Sequence, residues 1–275
     1  MATISQINQI HSPDAASLCG NIESRERLKS QMLRAWIFVG LFFMALPGTL
    51  LGFSNLLAIS THHGLGALPA AWIQGHGHAQ VFGWIGSFVL GIGFYSQPAR
   101  GRSVLRIPLA CFAFWTSGVA MRWAASIYGW HWRSLFAVSA SFETIAILLF
   151  LAAASRHKLP EPAQEGRAKP RMELWMVSVL LSTVGLLALV IFNLVECLRL
   201  VIDGTERAFP HGLDQRFLAL LAWGFLVLVV WGFSARWLPT FLAIPRPDAH
   251  LFRIALILDL AGVLSGVSGW ARPAT

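Results

Sequence analysis

Charge is what this chain has least of. Only 12% of its 275 residues are Asp, Glu, Lys or Arg, against the ~25% usual for soluble domains. Cysteine is equally scarce. Cys19, Cys111 and Cys197 show no paired spacing, which argues against a disulfide framework or a paired-cysteine metal motif. Cys111 and Cys197 lie inside apolar runs, where a thiol behaves as a small hydrophobe. Residues 1–30 lack the apolar central region of a cleavable signal peptide, so the first apolar segment is expected to be its own insertion signal. The net charge of +8 has no single basic face behind it. Its residues sit in short turns between apolar runs, which reads as topogenic charge and argues against a nucleic-acid partner.

What is abundant is hydrocarbon. The chain is 56% apolar and carries twelve tryptophans, and uncharged runs of 18 or more residues recur. Both features fit a multi-pass membrane protein. The expected fold is all-α, a polytopic transmembrane bundle of about seven spans. Residues 1–34 form a polar tail, partly disordered, that leads into a short interfacial helix; residues 35–270 form the bundle. The spans are expected at Ala35 to Ser60, Trp72 or Gly75 to Tyr95, Ile107 to Ile127, Ser134 to Ser155, Leu174 to Val201, Arg216 to Leu238 and His250 to Gly269. Pro47-Gly48 should kink the first of these, a break that a neighbouring helix can make good. Pro239 should end the sixth.

Alternate loops differ in basic charge. Residues 1–34, 97–106, 156–173 and 236–253 hold fifteen of the 21 lysines and arginines. The positive-inside rule therefore places the N-terminus in the cytoplasm. In that orientation His62, His63, His76, His78, His131 and His211 all fall at the outer boundary, with Arg122, Glu196 and Arg199. Only His11, His157 and His250 are on the inner side.

The stretch with the most chemistry is Gln74-Gly75-His76-Gly77-His78-Ala79-Gln80, at the outer mouth of the second span. Imidazole at a membrane boundary is a common ligand for copper, zinc and haem iron, and polar groups there are costly without partners. In a regular helix His76 and His78 point about 200° apart, whereas His76 and Gln80 share a face. Either Gly75 and Gly77 unwind the turn so that both histidines converge, or each serves a different site. A lone histidine here can also be a hydrogen-bonded packing group. The glycines that follow, Gly83, Gly86, Gly91 and Gly93, admit a neighbouring helix or a flat cofactor. Glu143 lies about nine residues into the fourth span, where a carboxylate must be neutral or paired. Asp259 has the same property in the last span. Glu196 and Arg199, at i and i+3, are read as an interfacial ion pair.

At His76-Gly77-His78-Ala79-Gln80-Val81-Phe82-Gly83-Trp84 the chain resembles the NnrS family, bacterial inner-membrane proteins of the nitric-oxide response that contain haem and copper. Trp237-Leu238-Pro239-Thr240-Phe241-Leu242 is also similar to that family. The polar residue that follows the second histidine here is Gln80, set off by Ala79, and the spans are fewer than the family usually has. The resemblance implies a bacterial inner-membrane protein that binds haem, with copper as a further candidate. His76 and His78 would be the haem or metal ligands, with Gln80, Arg122 and Glu143 as supporting or propionate partners, and nitric oxide or another small gas as the external ligand. Alternatives from other classes are a haem-copper oxidase or nitric-oxide reductase subunit, a metal or haem transporter or assembly factor, and a purely structural bundle. Against the oxidase class, the later spans lack the further histidines that a binuclear centre needs.

Overall fold

The computed structural model describes residues 13–62, 64, 68–97, 106–155 and 172–269. The expectations for His11, His63, His157, the basic turn at 98–105 and most of the polar loop after Ser155 lie outside the described residues.

Seven helical rods follow one another in the chain, and no strand occurs among the described residues. Rod α1 covers 13–62, and α2 covers Ala70–Ser96. They are followed by α3 (Arg106–Tyr128), α4 (Trp132–Ser155) and α5 (Leu174–Asp203). The last two are α6 (His211–Leu242) and α7 (Ala249–Ser268). Six of the seven are long and apolar enough to cross a membrane. The other, α3, has 23 residues, which at ~1.5 Å per residue also spans the hydrocarbon thickness. It carries the buried Arg122 and sits between α2 and α4. Successive rods pack side by side, as short connections between antiparallel helices require. The expected all-α, multi-pass helical architecture is therefore what the chain adopts.

Two local expectations are corrected, and a third takes a specific form. The N-terminal tail is helical from Pro13, and Pro13–Phe43 enters the first span without a break. Proline at a helix start loses nothing, because its missing N–H would be unpaired there anyway. Pro47-Gly48 is accommodated by a π-helical turn over Met44–Leu50, and the helix then continues as Leu51–His62. Pro239 does not end α6. The helix runs to Leu242 and stops at Ala243 in the left-handed conformation, where the Ala243 and Ile244 N–H groups both bond to the Pro239 carbonyl.

Two further π-helical turns, Ala79–Gly86 and Leu220–Val227, interrupt α2 and α6. The wider turn leaves carbonyls free to accept side-chain donors. Serines of α5 bond to α6 carbonyls at and just past the end of its turn: Ser178 Oγ donates to the Leu228 carbonyl at 2.7 Å and Ser182 Oγ to that of Phe225 at 2.9 Å. Gly185, one turn on, packs so closely on α6 that a Cβ would run into the Gly224 carbonyl oxygen. Small residues on one stripe allow this approach, and hydroxyls then lock it, the expected mode of association where water supplies no driving force between helices. On the other side of the bundle, fully buried Trp36 meets Phe112 edge-on at 5.0 Å, and Phe94 crosses Phe150 at 5.2 Å. The core is continuous from α1 to α7.

Candidate functional site

The two histidines of α2 are held in an ordinary helix. Pro69 is extended and starts it, Ala70–His78 is α-helical, and His78 itself has φ −62 and ψ −45. Gly75 and Gly77 do not unwind. Gly75 is needed for packing, since its Cβ would stand 2.9 Å from the Ser126 Cβ of α3. The side chains of His76 and His78 therefore diverge, and of the two arrangements open to the sequence the chain takes the one with separate sites.

His78 turns inward. Its Nε2 lies 2.8 Å from Glu143 Oε1 on α4. The other carboxylate oxygen accepts from Asn193 Nδ2 of α5 at 3.0 Å, and Ser139 Oγ approaches Oε1 at 3.4 Å. Glu143 and Asn193 are wholly buried and His78 is 5% exposed. An isolated carboxylate at such a position would be very costly to desolvate; three donors around it offset that cost. Phe82, one turn on, stacks on the His78 ring at 4.3 Å, and Trp115 stacks on Phe82 at 5.6 Å while donating to Ser87 Oγ.

The polar chain continues past Asn193. Its Oδ1 is 3.6 Å from Cys197 Sγ, one turn further along α5, and Arg122 Nη1 of α3 donates to the same sulfur. Arg122 is only 3% exposed. Its guanidinium lies over the Phe136 ring at 4.1 Å and the Phe209 ring at 4.9 Å, so aromatic faces and a thiol surround the charge. Gln74 fixes Phe209 from outside the chain. Its Nε2 donates to the Phe209 carbonyl at 2.9 Å, and the Phe209 N–H donates to its Oε1 at 2.8 Å. A single polar path thus joins His78, Glu143, Asn193, Cys197 and Arg122 across four helices.

His76 turns the other way, toward α1. Its Nδ1 is 2.9 Å from the Gly48 carbonyl oxygen in the π-helical turn. A carbonyl can only accept, so Nδ1 carries the proton, and Nε2 of the neutral ring keeps its lone pair. Two glycines of α1 make the room. A Cβ on Gly52 would be 2.6 Å from His76 Cε1, and one on Gly48 would be 2.6 Å from Gln80 Nε2. The i, i+4 pair Gly48/Gly52 therefore receives the i, i+4 pair His76/Gln80.

Two other histidines of the expected outer set stand apart. His131 is exposed in the α3–α4 turn with φ 43, and His211 is exposed at the start of α6 and bonds Gln215 at 2.9 Å. No group of three or more His, Cys, Asp or Glu forms among the described residues. Arg199 and Glu196 form the expected pair at 2.7 Å. Asp259 is buried in α7 with neither carboxylate oxygen partnered among the described residues.

Of the sequence-predicted site residues, His78 and Glu143 come together, and Arg122 joins them through Cys197 and Asn193. His76 and Gln80 form a second, separate cluster on α1. Gln74, Asn193 and Cys197 were not singled out as site residues. The usable signal was the spacing of Asn193 and Cys197 at i, i+4, which puts both on one face of a span.

A flat macrocycle does not fit the glycine face of α2, because aromatic side chains already fill it. A Cβ on Gly83 would be 2.6 Å from Phe43, one on Gly91 2.6 Å from Trp36, and one on Gly93 2.7 Å from Phe150. Of the ring nitrogens of half-buried His76, Nε2 is the one left to hold haem iron or copper, and it also faces α1, 3.2 Å from where a Gly52 Cβ would stand.

Fold and site together define a multi-pass membrane protein with a buried, charge-bearing polar chain near one end of its bundle. Comparisons with protein-family models, with curated proteins and with solved structures find no match.

Proposed function

We propose that this chain is a bacterial inner-membrane protein that binds haem, with copper as the second candidate metal, at the outer end of α2 and serves the response to nitric oxide. The resemblance of His76–Trp84 to the NnrS family motivates this reading. One observation supports it: the bond from His76 Nδ1 to the Gly48 carbonyl. Metal-ligating histidines characteristically donate their second ring N–H to a carbonyl or carboxylate, which fixes the tautomer and aims the free nitrogen. When bound, haem iron supplies an open coordination position for a small gas. On this reading His76 would hold the iron or copper, and Gln80 lines the same side. Glu143 holds His78 as an interior scaffold, and Arg122 is too enclosed by Phe136 and Phe209 to be a propionate partner in this packing. His78, with Nε2 committed to Glu143, takes part through packing against Phe82.

The test is an optical spectrum with metal analysis on detergent-purified protein from cells supplied with a haem precursor and copper. A Soret band that is lost in His76→Ala and retained in Asn193→Ala is expected. Neither haem nor copper in the wild-type protein would overturn the reading.

A further inference from the structure

At the opposite end of the bundle, α6 and α7 enclose a groove that the functional reading above does not use. Its volume is about 370 Å³, within the roughly 300–1,000 Å³ of small-molecule sites. Trp231, Leu238, Pro239, Ile244, Pro245 and Phe252 are among its walls, and Ser234 is the one polar lining residue. The 244–247 connection leaves α6 with the Ile244 N–H bonded to the Pro239 carbonyl, and Pro245 and Pro247 form its side of the groove.

The rim has the opposite character. Arg236 and Arg246 alternate in sequence with lining residues: Ala235 precedes the first, and Pro245 and Pro247 flank the second. Both guanidiniums approach one carboxylate oxygen, Glu173 Oε2 at the start of α5, at 3.8 and 3.6 Å. With Asp248 next to lining residue Pro247 and Arg253 next to Phe252, three positive charges stand against two negative at the mouth, a net of +1. The pairs are loose, and the arginine side chains are 40% and 64% exposed, so an incoming anion can take them from Glu173. Arg236 also lies over the Trp175 ring at 5.5 Å, which anchors its stem at the level of the boundary tryptophans. Arg253, exposed on α7, follows the lining residue Phe252 in the chain.

We propose that this groove is a binding site for an anionic phospholipid, with an acyl chain lying between α6 and α7 and the phosphate on Arg236 and Arg246. An apolar slot that opens beside arginines at a membrane boundary matches a lipid in both of its parts. Basic pockets between spans on the positively flanked side recognise anionic headgroups in this way. A soluble phosphate would use the rim and leave the slot unfilled. A second copy of the chain would have to bring its own anion to the arginines.

The experiment is native mass spectrometry of the full chain in detergent with phosphatidylglycerol or phosphatidylcholine of the same acyl composition. Wild type should retain phosphatidylglycerol at least about fivefold better, the order expected for one net positive charge near an anionic surface. The double variant Arg236→Gln/Arg246→Gln should lose the preference, and the double lysine variant should keep most of it. Ala255→Phe, which fills the slot, should release the lipid. Glu173→Gln should raise the preference above wild type, a gain that misfolding cannot imitate. Equal retention of both lipids, an unchanged preference in the double glutamine variant, or full competition by millimolar inorganic phosphate would each overturn the proposal. A dimer that Ala255→Phe dissociates would overturn it in favour of a second copy.

Discussion

His78 and Glu143, 65 positions apart in the chain, meet at 2.8 Å with neither side chain more than 4% exposed. Asn193, Cys197 and Arg122 extend from this contact as one buried polar path. Glu143 is the acceptor on which α2, α4 and α5 converge, because Asn193 reaches its second oxygen. The carboxyl group thus has a hydrogen-bonding partner on each of its two oxygens. That is why it can be buried at all.

Removing the acceptor should cost more than removing either donor. Glu143→Ala strands the His78 ring N–H and the Asn193 amide, and each buried donor left unpaired costs about 1–3 kcal/mol. Glu143→Gln keeps an acceptor oxygen and should lose clearly less. Denaturant unfolding in mixed micelles checks the order; equal losses for the two variants would mean that the bonds to Glu143 carry little of the stability.

The glycines around His76 make a matched pair of probes. Gly52→Ala places a methyl 2.6 Å from His76 Cε1, whereas Gly77→Ala meets nothing within 4 Å. The first should displace the ring from the Gly48 carbonyl and abolish any haem or copper signal, with the protein still folded. The second should be neutral or stabilising, by up to about 1 kcal/mol, as alanine generally is for an open helical glycine. Spectra and unfolding curves of both variants check this.

Helix contact between α5 and α6 depends on the absence of a side chain at Gly185. A methyl there would strike the Gly224 carbonyl, a backbone atom that cannot rotate away. Gly185→Ala should destabilise by about 1–3 kcal/mol or more, the usual cost of overpacking. Gly262→Ala, on a helix with open space at that position, should be silent. Comparing their thermal midpoints in detergent gives the result directly.

Orientation is open to a direct labelling test. Trp130 is 73% exposed in the α3–α4 turn and Met172 57% exposed ahead of α5, at opposite ends of the bundle. In intact cells, an impermeant maleimide should label Trp130→Cys and leave Met172→Cys until lysis. The reverse pattern would overturn the placement of the His76 end on the outer side.

Much of the architecture was legible in the sequence. The spans α3, α4, α5 and α7 begin and end within about two residues of the limits that hydropathy and turn residues suggest. Proline was one source of misreading. Pro239 read as a stop, but the chain carries it inside α6, whereas the break expected at Pro47 takes the form of a π-helical turn. Proline's local cost is fixed, yet whether a helix survives it depends on packing around the freed carbonyls, which no local pattern records.

The stretch Gln74–Gln80 separates the two kinds of information most clearly. Its composition alone determined that polar groups stand at the mouth of a span, and helical periodicity alone determined that His76 and Gln80 share a face while His78 points elsewhere. Which face turns inward is a property of the assembled bundle. Gly48 and Gly52 on α1 leave a hollow for His76, and Glu143 and Asn193, on two other helices, supply the partners for His78. Those contacts join residues dozens of positions apart, so only the tertiary structure could decide them. It did so because an apolar interior accepts a charged or hydrogen-bonding group only where another chain segment brings its partner.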